Sequence, residues 1–125
     1  MVSHKRPINL DLTSFSYPPM MIASILHRIS GVVLFLLLPM MLYFFRLSLH
    51  SAVSFAQLHT KLSAPLNKFF FWAFGAALIY HVLAGIRHIV MDLGWAESLV
   101  AGRRSAQAVI VLAVFLSLWF GVVLW

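Results

Sequence analysis

The chain has 125 residues, of which 62% are hydrophobic and 10% are charged, and its net charge is +6. A single domain of this length leaves much of its surface in water, so a soluble fold could not hide so many apolar side chains. The absence of cysteine excludes disulfides, thiol chemistry and iron–sulfur ligation by this chain. The basic residues flank apolar blocks, which is a membrane pattern and argues against a nucleic-acid partner.

The first residues, about 1–19, predict a polar N-terminal segment. Lys5 and Arg6 precede a polar, proline-containing stretch rather than an apolar region, so we do not expect a cleavable secretory signal. The stretch also differs from the long, Arg-rich and acid-poor import sequences of organelles. A bacterial inner (cytoplasmic) membrane is therefore the expected location.

Three long apolar blocks without a charged residue follow: Ile29 to Phe45, Phe69 to Tyr80, and Ser105 to Trp125. With its flanks, each block approaches the roughly 20 residues that a helix needs to cross about 30 Å of hydrocarbon. Backbone groups in lipid must be satisfied within their own segment, so each block is expected to be helical. The sequence therefore predicts an all-α membrane protein, with a single membrane domain over residues 1–125 and three transmembrane helices.

The first transmembrane helix is expected over about residues 20–47, directly after Pro18 and Pro19, because proline favours helix starts. Pro39 lies inside this span, which membrane helices tolerate. A polar link from Ser48 to Lys61 is expected next, and we assign it no role.

The second transmembrane helix is expected over about residues 65–93, with Gly94 as its C-terminal stop. The third is expected over about residues 104–125, after Gly102 and the two arginines that follow it.

The basic residues predict the orientation of the chain. Three spans put the N-terminus and the second link on one side, with Lys5, Arg6, Arg28, Arg87, Arg103 and Arg104. The other side holds Arg46, Lys61 and Lys68. Because basic residues are enriched on the cytoplasmic side, the N-terminus is expected to be cytoplasmic.

The first polar cluster lies at the start of the first span. Ser24, His27 and Arg28 are spaced i, i+3 and i+4, so they share one helix face, with Gly31 one turn later. A hydroxyl, an imidazole and a fixed cation suit a carbonyl-bearing ligand that accepts protons, or a carboxylate at the membrane edge. The alternative is that His27 and Arg28 only anchor the helix at the interface.

The second polar cluster lies in the second half of the second span. His81 and His88 are seven residues apart, which places them on one face and about 10 Å apart along the helix axis. Asp92 follows His88 by four residues, and Gly85 follows His81 by four. Ionisable groups within a membrane span indicate function by default.

His81 is the deepest of these groups and is a candidate axial ligand of haem iron. Gly85 would make room for a flat macrocycle, and His88, Arg28 or His27 could pair with the haem propionates. The separation of the two histidines on this helix limits the chain to one haem, and the second axial ligand must come from elsewhere. The alternative is that His81 makes a hydrogen bond between helices.

Three segments closely resemble the cytochrome b subunit of bacterial succinate:quinone oxidoreductase, or succinate dehydrogenase. They are Arg6-Pro7-Ile8-Asn9-Leu10-Asp11-Leu12, the run Ser24-Ile25-Leu26-His27-Arg28-Ile29-Ser30-Gly31, and the run from His81 to Gly94. The pattern H-x-x-x-G-x-R-H-x-x-x-D-x-G in the last run is the most specific. The likeness covers the whole chain, although the link from Ser48 to Leu66 carries no family motif.

The resemblance implies a helical bundle with a second small three-helix anchor subunit, with one haem b shared between the two. His81 matches the axial ligand that this subunit gives to the haem iron. His27, Arg28 and His88 match positions around the haem propionates or the quinone pocket.

The resemblance also implies a ubiquinone-reduction site. Ser24 and Arg28 match residues that contact ubiquinone, and Asp92 matches an acidic residue near that pocket, as a proton supply or an orienter of Arg28. Flavoprotein and iron–sulfur subunits would dock on the cytoplasmic side and deliver electrons from succinate oxidation in the tricarboxylic acid cycle to the respiratory chain.

Three other functions stay open. A fumarate reductase anchor would use the same chemistry, and a purely structural anchor would use its histidines only to bridge helices. A small proton-coupled transporter would use Asp92, Arg87 and His88 as a relay. The transporter is disfavoured because the polar residues crowd one membrane face and leave the apolar block of the third helix without a charge.

Overall fold

The computed structural model describes residues 19–95 and 98–125, and within these ranges the chain is almost entirely helical. It contains four helices: α1 (Pro19–His50), α2 (Ala52–Ser63), α3 (Pro65–Asp92) and α4 (Leu99–Leu124). Helices α1, α3 and α4 are long and apolar enough to cross a membrane, which confirms the predicted all-α fold with three spans. The polar N-terminal segment and its motif Arg6–Leu12 lie outside the described residues.

Helix α2 occupies the stretch for which a polar link was predicted, and that prediction was wrong. Ser51 adopts an extended backbone (φ −165°, ψ 166°) and its side chain accepts a hydrogen bond from the Ser54 backbone N–H. The Ser54 hydroxyl in turn accepts from the Ser51 N–H at 2.9 Å and donates to the Leu47 carbonyl at 2.8 Å. This reciprocal cap starts a new helix with a single residue, Ser51, between it and the end of α1.

Helix α4 begins at Leu99, five residues before the expected start near Arg104. The cause is Ser98, whose side chain accepts a hydrogen bond from the Ala101 N–H at 3.2 Å and caps the first turn. Upstream, α3 ends at Asp92, and Gly94 adopts a left-handed backbone with φ 82°. A glycine in this conformation is a common helix stop, as the sequence predicted.

Helix α3 packs against both α1 and α4, and α2 packs mainly against α1. The deepest positions at these contacts carry small side chains, each at most 3% exposed: Ala23, Ala84, Ala106 and Ala113. Small side chains let helix backbones approach closely in a membrane, where the hydrophobic effect does not drive helix association. Many large apolar side chains are exposed on the three long helices and are available to lipid or to another chain.

Two side-chain hydrogen bonds fix how the long helices are paired. The Tyr80 hydroxyl on α3 donates to the Ala23 carbonyl on α1 at 2.9 Å. The Trp72 indole on α3 donates to the Ser117 carbonyl on α4, also at 2.9 Å. Each donor is the one polar group of a large aromatic side chain, and such a group needs a hydrogen-bond partner when it is buried between helices. Helix α3 is therefore held on two sides.

A largely apolar cavity of about 700 Å³ lies at the α2 end of the bundle. Its walls come from α1, α2, α3 and α4, and include Phe44, Leu58, Phe74 and Phe120. None of the predicted site residues lines it, so the candidate site has to be sought at the other end of α1.

Candidate functional site

Three histidines meet where α1 faces the second half of α3. The ring of His27 stacks on that of His81, with centroids 4.2 Å apart and an interplanar angle of 27°. On its other side, the His27 ring lies 5.1 Å from that of His88, tilted by 41°. The two α3 histidines share a face two turns apart, so His27 is inserted between their levels. The structure thus brings together three residues that the sequence singled out on two separate helices.

A serine and a backbone carbonyl hold one nitrogen of His81. The Ser30 hydroxyl donates to the His27 carbonyl oxygen at 2.7 Å, and its oxygen lies 3.0 Å from His81 Nδ1. The same carbonyl oxygen lies 3.3 Å from His81 Nδ1. None of the hydrogen bonds in the described part of the chain involves His81 Nε2, which leaves that nitrogen available to a ligand.

Two glycines face the histidine rings from opposite helices. A Cβ atom at Gly31 on α1 would lie 3.3 Å from His81 Cε1, which is tighter than ordinary contact. A Cβ atom at Gly85 on α3 would lie 3.7 Å from His27 Nε2, at normal van der Waals distance. Gly31 therefore permits the close approach of the His81 ring to α1. Gly85 lies beside the His27 ring without a side chain, and its predicted role of making room for a macrocycle stays a prediction.

His27 Nε2 is buried and has no hydrogen-bond partner among the described residues. A buried polar nitrogen without a partner is costly, and native structures rarely leave one unexplained. The same cluster is not a site for a bare metal ion, because no three His, Cys, Asp or Glu side chains in residues 19–95 and 98–125 are grouped suitably. The arrangement suits a larger ligand that takes one nitrogen from His81 and offers an acceptor to His27.

Ser24, Arg28 and Asp92 lie at the same end of the bundle but outside the stacked rings. Ser24 is partly exposed, and Arg28 and Asp92 are exposed. Because α1 and α3 run in opposite directions and His27 lies beside His88, the end of α3 at Asp92 lies near the level of Ser24. The three residues therefore lie where the start of α1 meets the end of α3, and a partner chain or a ligand could contact them there.

Arg87 lies on another face of α3 and is only 7% exposed. Its Nε donates to the Ser105 hydroxyl at 3.0 Å, and its Nη2 donates to the Gly102 carbonyl at 3.2 Å. The guanidinium therefore binds α4, away from the rings of His27 and His81. This use of Arg87 disfavours the relay of Arg87, His88 and Asp92 that a transporter would need.

Sequence reasoning gave no role to Ser30 or Ser105. Ser30 follows His27 by three residues, so its place on the histidine face of α1 was visible from helical spacing. Its contact with His81 depends on the register between α1 and α3, which the sequence does not display. The contact of Ser105 with Arg87 depends on how α3 packs against α4, which the sequence does not display either.

Comparison with known proteins places this geometry in context. A family model described as the succinate dehydrogenase/fumarate reductase transmembrane subunit matches residues 2–120. A succinate dehydrogenase cytochrome b556 subunit from Coxiella burnetii is 48% identical over 122 residues, covering 97% of this chain and 98% of the relative. The protein of the same name from Rickettsia prowazekii is 30% identical over 94% of this chain and 91% of its own length.

A third relative matches a shorter part of the chain. The succinate dehydrogenase cytochrome b560 subunit of Porphyra purpurea is 34% identical over 94 residues, which is 74% of this chain and 75% of the relative. The family model and the two bacterial matches cover the part of the chain that holds both histidine helices. This chain therefore belongs to the family of succinate dehydrogenase and fumarate reductase transmembrane subunits.

Proposed function

We propose that this chain is the cytochrome b membrane-anchor subunit of a bacterial succinate dehydrogenase. It binds haem b together with a second anchor subunit and helps to form the site at which ubiquinone is reduced. The observation that carries the proposal is the histidine cluster, in which His81 has one nitrogen held by Ser30 and the other free. The names of the relatives, cytochrome b556 and b560 subunits of succinate dehydrogenase, support the same conclusion.

The residues present fit a haem group. His81 Nε2 has no hydrogen-bond partner among the described residues, so it can supply the lone pair that an axial ligand needs. Gly31 lets the His81 ring approach α1, and Gly85 has no side chain beside the His27 ring. The unpartnered Nε2 of His27, with His88 and Arg28 nearby on the same helices, would pair with the propionates. When bound, the haem supplies a one-electron carrier within the membrane.

Ser24 and Arg28 are the proposed quinone-binding residues. A quinone that gains electrons develops negative charge on its carbonyl oxygens, and hydrogen-bond donors aimed at those oxygens stabilise it. The Ser24 hydroxyl can donate one hydrogen bond to a carbonyl oxygen, and the Arg28 guanidinium can donate hydrogen bonds while it keeps its positive charge. Asp92 and His88, at the same end of the bundle, would pass protons from the aqueous edge to the reduced quinone.

The chain requires partners for this chemistry. It has no cysteine, so electrons from succinate oxidation must arrive from an iron–sulfur subunit and a flavoprotein subunit. Within the described ranges the histidine nitrogens His81 Nε2 and His27 Nε2 have no hydrogen-bond partner. We assign His81 to the iron and His27 to the propionates, so a second ligand to the iron would come from the second anchor subunit. We place the complex in the bacterial inner membrane, with the N-terminus and the Ser24 end cytoplasmic, because the basic residues favour that side.

A fumarate reductase anchor is the second candidate, because the family description names both enzymes. The two functions use the same residues and differ in the preferred direction of electron flow. A purely structural anchor is disfavoured by the buried His27 Nε2, since histidines that only bridged helices would have satisfied one another.

Replacement of Ser24 by Ala and of Arg28 by Leu tests the proposed function in the purified complex. Both changes should lower succinate:ubiquinone reductase activity at least about tenfold, because each removes a donor worth roughly 1.5–3 kcal/mol at a charged oxygen. Succinate oxidation with a soluble dye, which takes electrons before the membrane subunits, should stay near the wild-type rate. Equal loss of both activities would mean that these residues serve assembly, and unchanged quinone reduction would contradict their role.

A further inference from the structure

Ser30 is a buried hydroxyl to which no role has been given so far. It is 6% exposed and lies between the His27 carbonyl oxygen, at 2.7 Å, and His81 Nδ1, at 3.0 Å. It thus connects the backbone of α1 to one edge of an imidazole on α3. The contact is on the opposite edge of the ring from the free Nε2.

The two partners of His81 Nδ1 indicate which tautomer the ring adopts. A serine hydroxyl has one proton, and that of Ser30 is donated to the His27 carbonyl. Toward His81, Ser30 therefore presents an oxygen lone pair. The His27 carbonyl oxygen, 3.3 Å from the same nitrogen, also only accepts. Both contacts require the proton of His81 to be on Nδ1, which leaves the lone pair of the neutral imidazole on Nε2.

We propose that Ser30 is a positioning residue that selects the Nδ1–H tautomer of His81 and orients its ring, so that Nε2 is presented to the haem iron. This inference rests on the proposed function of His81 as an axial ligand. A histidine that binds a metal usually donates its other N–H to a protein acceptor, which fixes the ring and raises the basicity of the ligand. Here the acceptors are a hydroxyl and a carbonyl of the same helical turn.

The local backbone explains why this turn can hold the ring. The Ser30 hydroxyl is anchored by its bond to the carbonyl three residues earlier, so its lone pair has a fixed direction. The next residue, Gly31, has no side chain to keep His81 away. The pair Ser30-Gly31 therefore supplies both the acceptor and the space for the imidazole.

Loss of this acceptor has a directional consequence. The carbonyl of His27 would remain as the weaker of the two acceptors, so the His81 Nδ1–H would be less polarised and Nε2 less basic. When an axial ligand becomes less basic, ferric iron loses more stabilisation than ferrous iron does. The haem midpoint potential is therefore expected to rise. Haem is also held less tightly, because removal of a histidine's outer acceptor typically lowers metal affinity by about 10–100-fold.

The test compares four forms of the intact membrane complex: wild type, Ser30→Ala, Ser30→Cys and Ser30→Thr. A matched control is Ser48→Ala, because Ser48 makes the same kind of hydroxyl-to-carbonyl hydrogen bond on α1, to Phe45 at 2.6 Å. Ser48 lies near the C-terminal end of α1, far along the helix from His27. Three quantities are measured: the haem midpoint potential, the reduced-minus-oxidised visible spectrum, and the rate of haem transfer to excess apomyoglobin. Only preparations with wild-type subunit ratios are compared.

We expect Ser30→Ala and Ser30→Cys to raise the midpoint potential and to speed haem transfer by about 10–100-fold. Ser30→Thr keeps a hydroxyl and should stay close to wild type, as should Ser48→Ala. If Ser30→Ala does not assemble, the near-isosteric Ser30→Cys carries the comparison, because it fills the same space with a weaker acceptor.

Wild-type potential and haem transfer in both Ser30→Ala and Ser30→Cys would overturn the inference while leaving His81 as a ligand. Equal shifts in the Ala, Cys and Thr variants would also overturn it, since packing and not the hydroxyl would then be responsible. A wild-type complex without haem would overturn the proposed function itself.

Discussion

His27 contributes to the interface of α1 and α3 in three ways. Its carbonyl oxygen accepts from Ser30 at 2.7 Å and lies 3.3 Å from His81 Nδ1, whereas its ring stacks on that of His81. Third, its ring nitrogen Nε2 is buried and has no hydrogen-bond partner among the described residues. The backbone of His27 therefore helps to orient the proposed ligand, and its side chain is available to the proposed haem.

The two glycines of the cluster should differ in their tolerance of a side chain. Gly31→Ala puts a methyl group 3.3 Å from the His81 ring, and Gly85→Ala puts one 3.7 Å from the His27 ring. The first substitution must displace the proposed axial ligand by a few tenths of an ångström, whereas the second makes ordinary contact within this chain. We expect Gly31→Ala to shift the haem absorption band and lower haem content, and Gly85→Ala to do so less.

Haem content per complex and the position of the reduced band would measure this difference. Each variant is compared at equal subunit stoichiometry, so that loss of assembly is not mistaken for loss of haem. A larger effect of Gly85→Ala would mean that the bound macrocycle, rather than the His81 ring, occupies the tighter space. Wild-type spectra for both variants would contradict the proposed proximity of the haem to these glycines.

At the scale of the helices, Arg87 links α3 to α4. Its guanidinium reaches the Ser105 hydroxyl and the Gly102 carbonyl while the histidines on another face of α3 contact α1. A charge in a membrane span is expensive unless it is paired, and here the first turns of α4 provide the partners. Arg87 therefore fixes the helix that carries the proposed axial ligand through a different face from the one that carries the histidines.

Arg87→Leu should destabilise the assembled complex more than Ser105→Ala. The first change removes two hydrogen bonds from a charged group, each worth about 1.5–3 kcal/mol, and the second removes one. Thermal stability in detergent, followed by loss of subunit association, measures the order. Arg46→Leu, which removes an exposed arginine from α1, is the control. An effect of Arg46→Leu as large as that of Arg87→Leu would show that net charge, and not this contact, is responsible.

The sequence predicted the three spans because unbroken apolar blocks are a strong indicator of membrane helices. It missed α2, because that helix is started by a reciprocal cap in which serine replaces the usual Glu or Gln at the third position. It also placed the start of α4 too late, because Arg103 and Arg104 were taken for the end of a link although they lie inside the helix.

For the site, helical spacing was enough to place His81 and His88 on one face of the second span. It also placed Ser24, His27 and Arg28 on one face of the first span. What it could not give was the register between α1 and α3, which is set by packing around small residues and by the Tyr80 hydrogen bond to Ala23. The stacking of His27 on His81 and the contact of Ser30 with Nδ1 both follow from that register. The roles of Ser24, Arg28 and Asp92 stay predictions.

At the scale of the whole molecule, the proposed haem site needs a second chain. His81 is only partly buried, and many large apolar side chains of the three long helices are exposed. A second membrane chain would cover part of this surface and complete the coordination of the iron. Under the proposed function, the complete haem site would be a property of the assembled complex, and measurements on the isolated chain would not represent it.

The reduced-minus-oxidised visible spectrum of the purified complex tests the central claim most directly. Because the His27 ring stacks on that of His81 and has a free nitrogen, it could replace a lost ligand, so the decisive variant carries both His27→Ala and His81→Ala. We predict a b-type haem band in the wild type, a weakened or shifted band in His81→Ala, and no band in the double variant. A wild-type complex without haem, or an unchanged band in the double variant, would contradict the account.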